Sequence, residues 1–153
     1  MKFRFLHFIY GLIILVMLYS CARRGRPIGG EKDIDAPILI SATPDHKSVN
    51  FDTKKIRINF NEYIKLEDVN KQLVISPPME NQPIISPVGT ASKFINIKIL
   101  DTLKENTTYT LNFGNSVKDN NEGNVLEQFK YVFSTGNYID SLNVSVLSIL
   151  LLQ

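Results

Sequence analysis

The sequence predicts an all-β protein, an antiparallel β-sandwich of about seven strands. Three observations carry that expectation. Short runs between residues 36 and 136 alternate apolar and polar positions with a period of two, the pattern of strands with one buried face. Pro, Gly, Asn and Asp separate the runs as turn signals. No run of helical period and useful length lies between them.

The strands follow in order. Ile38, Ile40 and Ala42 alternate ahead of the turn Thr43-Pro44-Asp45. Ile56, Ile58 and Phe60 alternate with Arg57 and Asn59. Leu73 and Ile75 lead into Pro77-Pro78, and Ile84-Ile85 is closed by Pro87. Ile95, Ile97 and Ile99 alternate with Asn96 and Lys98. Tyr109, Leu111 and Phe113, then Phe129, Tyr131 and Phe133, complete the set. Each run turns its apolar set inward and leaves Asn, Lys and Thr outside. The stretch 62–71 has room for one helical turn after Glu67-Asp68. About a hundred residues can bury a working core without disulfides.

Length and composition limit what else the chain can be. A chain of 153 residues holds one ordinary domain, two at most. Lys plus Arg number 17 against 15 for Asp plus Glu. Lys2 and Arg4 account for the excess, and without them the signs balance. A neutral body does not suit nucleic acid, which calls for clustered cations. The single cysteine, Cys21, excludes an intrachain disulfide and a cysteine-based zinc site. With only His7 and His46, most histidine-dependent metal and triad chemistry is excluded as well.

The N-terminus reads as an export signal. Lys2 and Arg4 form a positive start, residues 5–19 are apolar except for His7 and Gly11, and small Ser20 precedes Cys21. Fifteen residues fall short of the roughly 20 needed to span a bilayer but suit a signal h-region. The competing reading is a short uncleaved anchor. Leu18-Tyr19-Ser20-Cys21 resembles the bacterial lipobox, with Tyr19 bulkier than the commonest residue at its place. The resemblance implies diacylglyceryl transfer to the Cys21 sulfur, cleavage between Ser20 and Cys21, and N-acylation of the new terminus, palmitate being the expected chain. Several acyl chains on one residue hold a protein on a bilayer where one does not. Residues 21–35 then read as a flexible tether, rich in Gly and charge. Its Arg23, Arg24 and Arg26 either touch anionic headgroups or are solvated linker charge. Arginines in place of an acidic cluster after the cysteine favour the periplasmic face of the outer membrane.

Five elements of the body occur in an order that resembles the bacterial Ig-like domain of the S-layer-protein (SbsA) type. They are Ala36-Pro37 with Ser41-Ala42-Thr43-Pro44, then Ile58-Asn59-Phe60-Asn61-Glu62. Leu103-Lys104-Glu105-Asn106-Thr107-Thr108-Tyr109 follows, then Asp119-Asn120-Asn121-Glu122-Gly123-Asn124, and last Phe133-Ser134-Thr135. Together they cover residues 36–136, and the hairpin is one residue longer than the family's usual form. The resemblance implies an Ig-like sandwich acting as a structural or interaction module.

The candidate residues have mostly structural readings. Tyr109, at the start of a strand, is expected to tie down the sandwich corner through its hydroxyl, with ligand stacking as the alternative. Phe60 is a core position. Glu62, just past it, is expected to bond backbone amides at the strand end; as a catalytic carboxylate it has no partner acid. Residues 119–124 are rich in oxygen donors, but Gly123 falls at position 5 of a calcium loop that requires glycine at 6. An Asn/Gly hairpin turn built on Asp119 and Gly123 is therefore expected over a calcium site. Thr102 and Ser141 stand in Asp-Thr-Leu and Asp-Ser-Leu tripeptides that resemble bacterial O-glycosylation sites. Asp45-His46, the one Asp/His pair after the leader, lies in a turn. No nucleophile elbow and no phosphate loop occur, so neither an enzyme nor a cofactor or metal is expected.

Residues 137–153 form an apolar tail, with seven of the last ten side chains apolar. It is read as the truncated start of a further β-domain. The chain as a whole reads as a lipid-anchored, non-enzymatic module of the cell envelope with a protein partner there and no nucleic acid. The alternative is a glycan- or ligand-binding lipoprotein assisting an envelope transport system. An aromatic sugar platform is not evident, since there is no Trp and most Tyr and Phe fall on inward faces.

Overall fold

The computed structural model describes residues 30–140. The leader, Ser20, Cys21, the arginines of the tether and the tail from Ser141 onward lie outside the described residues. Eight strands and one helical turn follow in chain order: β1 (Leu39–Thr43), β2 (Lys55–Leu66), α1 (Val69–Gln72), β3 (Val74–Ser76), β4 (Ile84–Ser86), β5 (Ser92–Lys98), β6 (Thr108–Asn112), β7 (Val117–Asp119) and β8 (Lys130–Ser134). One sheet runs β1-β2-β5-β4, with β7 pairing the far end of β2, and the other runs β3-β6-β8. Without β7 this is the division of an Ig constant-type sandwich, four strands facing three.

Period-two patterning drives the packing. Ile56, Ile58, Phe60, Ile95 and Ile97 of the first sheet meet Tyr109, Leu111, Tyr131 and Phe133 of the second in one buried cluster, which Ile99 and Phe113, just past the ends of β5 and β6, complete. Fully burying one such side chain contributes about 1.5–3 kcal/mol, so this layer holds the sheets together. Phe133 sits at its centre, 5.4 Å from the stacked Tyr109 ring and 4.0 Å from Phe51. Leu111, two residues beyond Tyr109, occupies the place where antibody domains carry a disulfide cysteine and is fully buried.

All seven expected strands form, and the helical turn after Asp68 forms as well. Two features differ from expectation. Ile38 and Ile40 are exposed, at 62% and 64%, although Ala42 is buried. Leu39 pairs with Phe60 and Ser41 with Asn59, which leaves Ile40 as an extra residue on β1. That bulge shifts the inward parity by one, so Leu39, not Ile38 or Ile40, packs against the core. The second feature is β7, whose three residues are too short to give an alternation.

Candidate functional site

The outward face of the larger sheet carries a network of hydrogen-bonded polar side chains. The strand registers set it out as rows. Thr43 lies opposite Arg57, Arg57 opposite Asn96, and Ser86 opposite Asn96, which makes one row across four strands. Lys55 lies opposite Lys98, and Ile84 opposite Lys98, in a second row. Ser41, Asn59 and Phe94 form a third. Neighbouring rows are two residues apart along the strands, about 7 Å. The first two rows line a groove of about 780 Å³.

Arg57 is fixed at the middle of this face. Its guanidinium carbon stands 3.7 Å from the Phe94 ring centroid. Its Nε donates to Asn59 Oδ1 at 3.2 Å and its Nη1 to Asn96 Oδ1 at 3.3 Å. Asn59 Nδ2 in turn donates to Ser41 Oγ at 3.0 Å. Two of the five guanidinium N–H groups are thereby engaged and three stay open. Among the described residues, no carboxylate lies within ion-pair distance of Arg57, Lys55 or Lys98. The parity of Ile95 and Ile97 already places Phe94 outside, a signal that composition alone obscures.

The corner before β6 is built around Tyr109. Its ring is 3% exposed, and its hydroxyl accepts the Lys104 backbone N–H at 2.9 Å. Thr135 Oγ1 donates to Lys104 O at 2.7 Å and accepts the Thr107 N–H at 2.9 Å. The turn leading into β6 is thus bonded both to a buried tyrosine and to the end of β8.

A profile of the bacterial Ig-like domain family matches residues 33–135. The chain belongs to that family. It is a family of non-catalytic modules, and the Ig-like domain here is a structural or interaction module in kind. The chain is also similar to the crystal structure of the N-terminal part of the bacterial S-layer protein SbsC, at 18% identity and a TM-score of 0.41. That likeness covers 69% of this chain and 24% of the other. A search of curated proteins finds no match.

The Ig-like domain places the remaining candidates separately. Phe60 is 2% exposed and packs edge-on to Phe129, with ring centroids 5.8 Å apart. Asp119 is 3% exposed. Its Oδ1 accepts the amides of Asn121 and Glu122 at 2.6 and 2.8 Å, and its Oδ2 accepts that of Asn124 at 2.9 Å. Burial opposes ionisation of this carboxyl, but the turn amides outweigh it and hold it below the usual range. The same turn places Gly123 at φ +82°. Asp119 thereby spends its oxygens on the backbone, and among the described residues no group of three acidic, His or Cys side chains could hold a metal ion.

Glu62 corrects the sequence reading. It lies within β2 rather than at its end, on the inward parity of Phe60 and Ile64, where β2 leaves β5 and joins β7. Among the described residues no backbone amide donates to its carboxylate. Burial, then the charges of Asp119, Asp33 and Glu122, raise it above the usual range.

Thr102 is exposed and lines a cleft of about 440 Å³ between two loops. Its neighbour Asp101 clamps that cleft, accepting the amides of Glu80 and Asn81 at 2.6 and 3.1 Å. His46 accepts the Val132 N–H through Nδ1 at 3.3 Å, and burial and then Lys47 lower it below the usual imidazole value. The Asp45 backbone carbonyl beside it accepts the Tyr131 hydroxyl at 3.4 Å, and among the described residues no hydrogen bond joins the Asp45 and His46 side chains.

Proposed function

We propose that this chain is a lipid-anchored envelope protein whose Ig-like domain acts by surface contact and not by catalysis. The observation that carries the reading is the order of parts along the chain. A positive start, fifteen mainly apolar residues and Leu18-Tyr19-Ser20-Cys21 precede the matched domain, which begins at residue 33. Thioether acylation of Cys21 and N-acylation after cleavage supply more than one chain, enough for lasting membrane attachment. The outer membrane, on its periplasmic face, is the proposed location, because Arg23, Arg24 and Arg26 follow the cysteine where an acidic cluster is absent. A protein partner at the envelope is part of the proposal.

The domain itself supports a contact role. Three of its titratable residues are occupied by folding: Asp119 and Asp101 bond backbone amides, and His46 accepts one. The hydrogen-bonded network around Arg57 lies on a broad sheet face rather than in an enclosed pocket. Fractionation of cells expressing the full chain and its Cys21→Ser variant tests the anchor. The native chain is expected in the membrane fraction and the variant outside it. Equal membrane retention of both would overturn lipid anchoring through Cys21.

A further inference from the structure

We infer that the outward face of the β1-β2-β5-β4 sheet binds an extended anionic glycan, with Arg57, Lys55 and Lys98 receiving its acidic groups. The inference deepens the reading of a surface-contact module and names the class of its ligand.

Two independent features of the face call for an anion. Arg57 is held flat by Phe94 and by two asparagine carbonyls, all neutral, with three donors left open. A guanidinium fixed in this way meets a carboxylate or phosphate as a prepared fork, with little entropy left to lose. Next to it Lys55 stands directly opposite Lys98. Like charges in that position destabilise a strand pair, and among the described residues no carboxylate lies within ion-pair distance of either lysine. The groove holds these three cations against the single carboxylate of Asp52, so its charge complements a negative ligand.

The geometry favours a glycan over an acidic peptide. A peptide strand binds a sheet by adding main-chain hydrogen bonds at an open edge. This groove instead crosses the face of the sheet over β2 and β5, strands paired on both sides. Besides its charged groups and apolar residues such as Pro44 and Ile84, the groove presents the amide of Asn96 and the hydroxyls of Thr43, Thr53 and Ser86, groups that donate and accept together. Sugar hydroxyls have the same double character. A row across four strands is about 14 Å wide, room for several sugar rings lying flat.

The test is direct titration of the full chain with a fluorescein-labelled galacturonate decamer, with neutral dextran and poly-glutamate as comparison probes. Binding of the galacturonate is expected to weaken with added salt, and dextran is expected not to bind. Arg57→Gln and Lys98→Gln should each weaken binding at least tenfold. Lys98→Gln removes the lysine–lysine repulsion, so its thermal midpoint should not fall, which separates lost binding from lost folding. Absence of galacturonate binding would overturn the inference. So would unchanged affinity in both variants, or binding of poly-glutamate alone. The assay does not depend on acylation, so its failure leaves the anchor untouched, and failure of the anchor leaves this surface intact.

Discussion

The buried Tyr109 hydroxyl accepts the Lys104 backbone N–H at 2.9 Å, and the same tyrosine stacks on Phe133 at 5.4 Å. One side chain thus ties the turn before β6 to the core of the sandwich. Tyr109→Phe keeps the stacking and deletes the hydrogen bond. It should lower stability by about 1 kcal/mol, read as a shifted denaturant midpoint at unchanged slope.

The bulge at Ile40 separates two isoleucines that the sequence pattern treats alike. Ile58 is fully buried, whereas Ile40 is mostly exposed. Ile58→Ala should cost about 2–5 kcal/mol, and Ile40→Asn within about 0.5 kcal/mol. Denaturation of the two variants checks this, and equal losses would contradict the observed register.

Gly123 holds φ +82° with nothing within 4 Å of an added Cβ. Strain without a clash is therefore the expected cost. Gly123→Ala should destabilise by about 1–2 kcal/mol, and Gly123→Asn by less, because Asn tolerates the left-handed region. Thermal unfolding of the pair reads the difference.

Acid should weaken the domain through two groups. Asp119 lies below the usual carboxyl range when folded, so its contribution is present above the unfolded value and is lost as pH falls through the folded one. His46 is also lowered when folded, so its contribution fades as pH drops below about 6.5. Glu62 works in the opposite sense. Raised when folded, it costs stability at neutral pH, and that cost disappears in acid. Glu62→Gln should therefore raise stability at pH 7 by less than about 1 kcal/mol, since water screens an accessible charge. Unfolding curves from pH 7 to about pH 2 check all three signs, with Asp119 read in the part below about pH 4.

Most of the sandwich was legible as strict alternation, because Ile95, Ile97, Leu111 and Phe133 each repeat inward every second residue. The alternation at Ile38 and Ile40 misled, since a bulge changes parity without leaving a mark in composition. Glu62 was hidden for a related reason: its inward parity appears only once β2 is seen to change partners. The outer face was half legible. Parity alone puts Phe94, Asn96 and Lys98 outside, but the placing of Lys55 opposite Lys98 depends on a register between strands some forty residues apart.

The lipid anchor is tested most directly by the intact mass of the native protein extracted from membranes. A chain starting at Cys21, heavier by a diacylglyceryl group and one N-linked acyl chain, is the predicted result. A mass matching the full sequence from Met1, with an unmodified thiol, would contradict it.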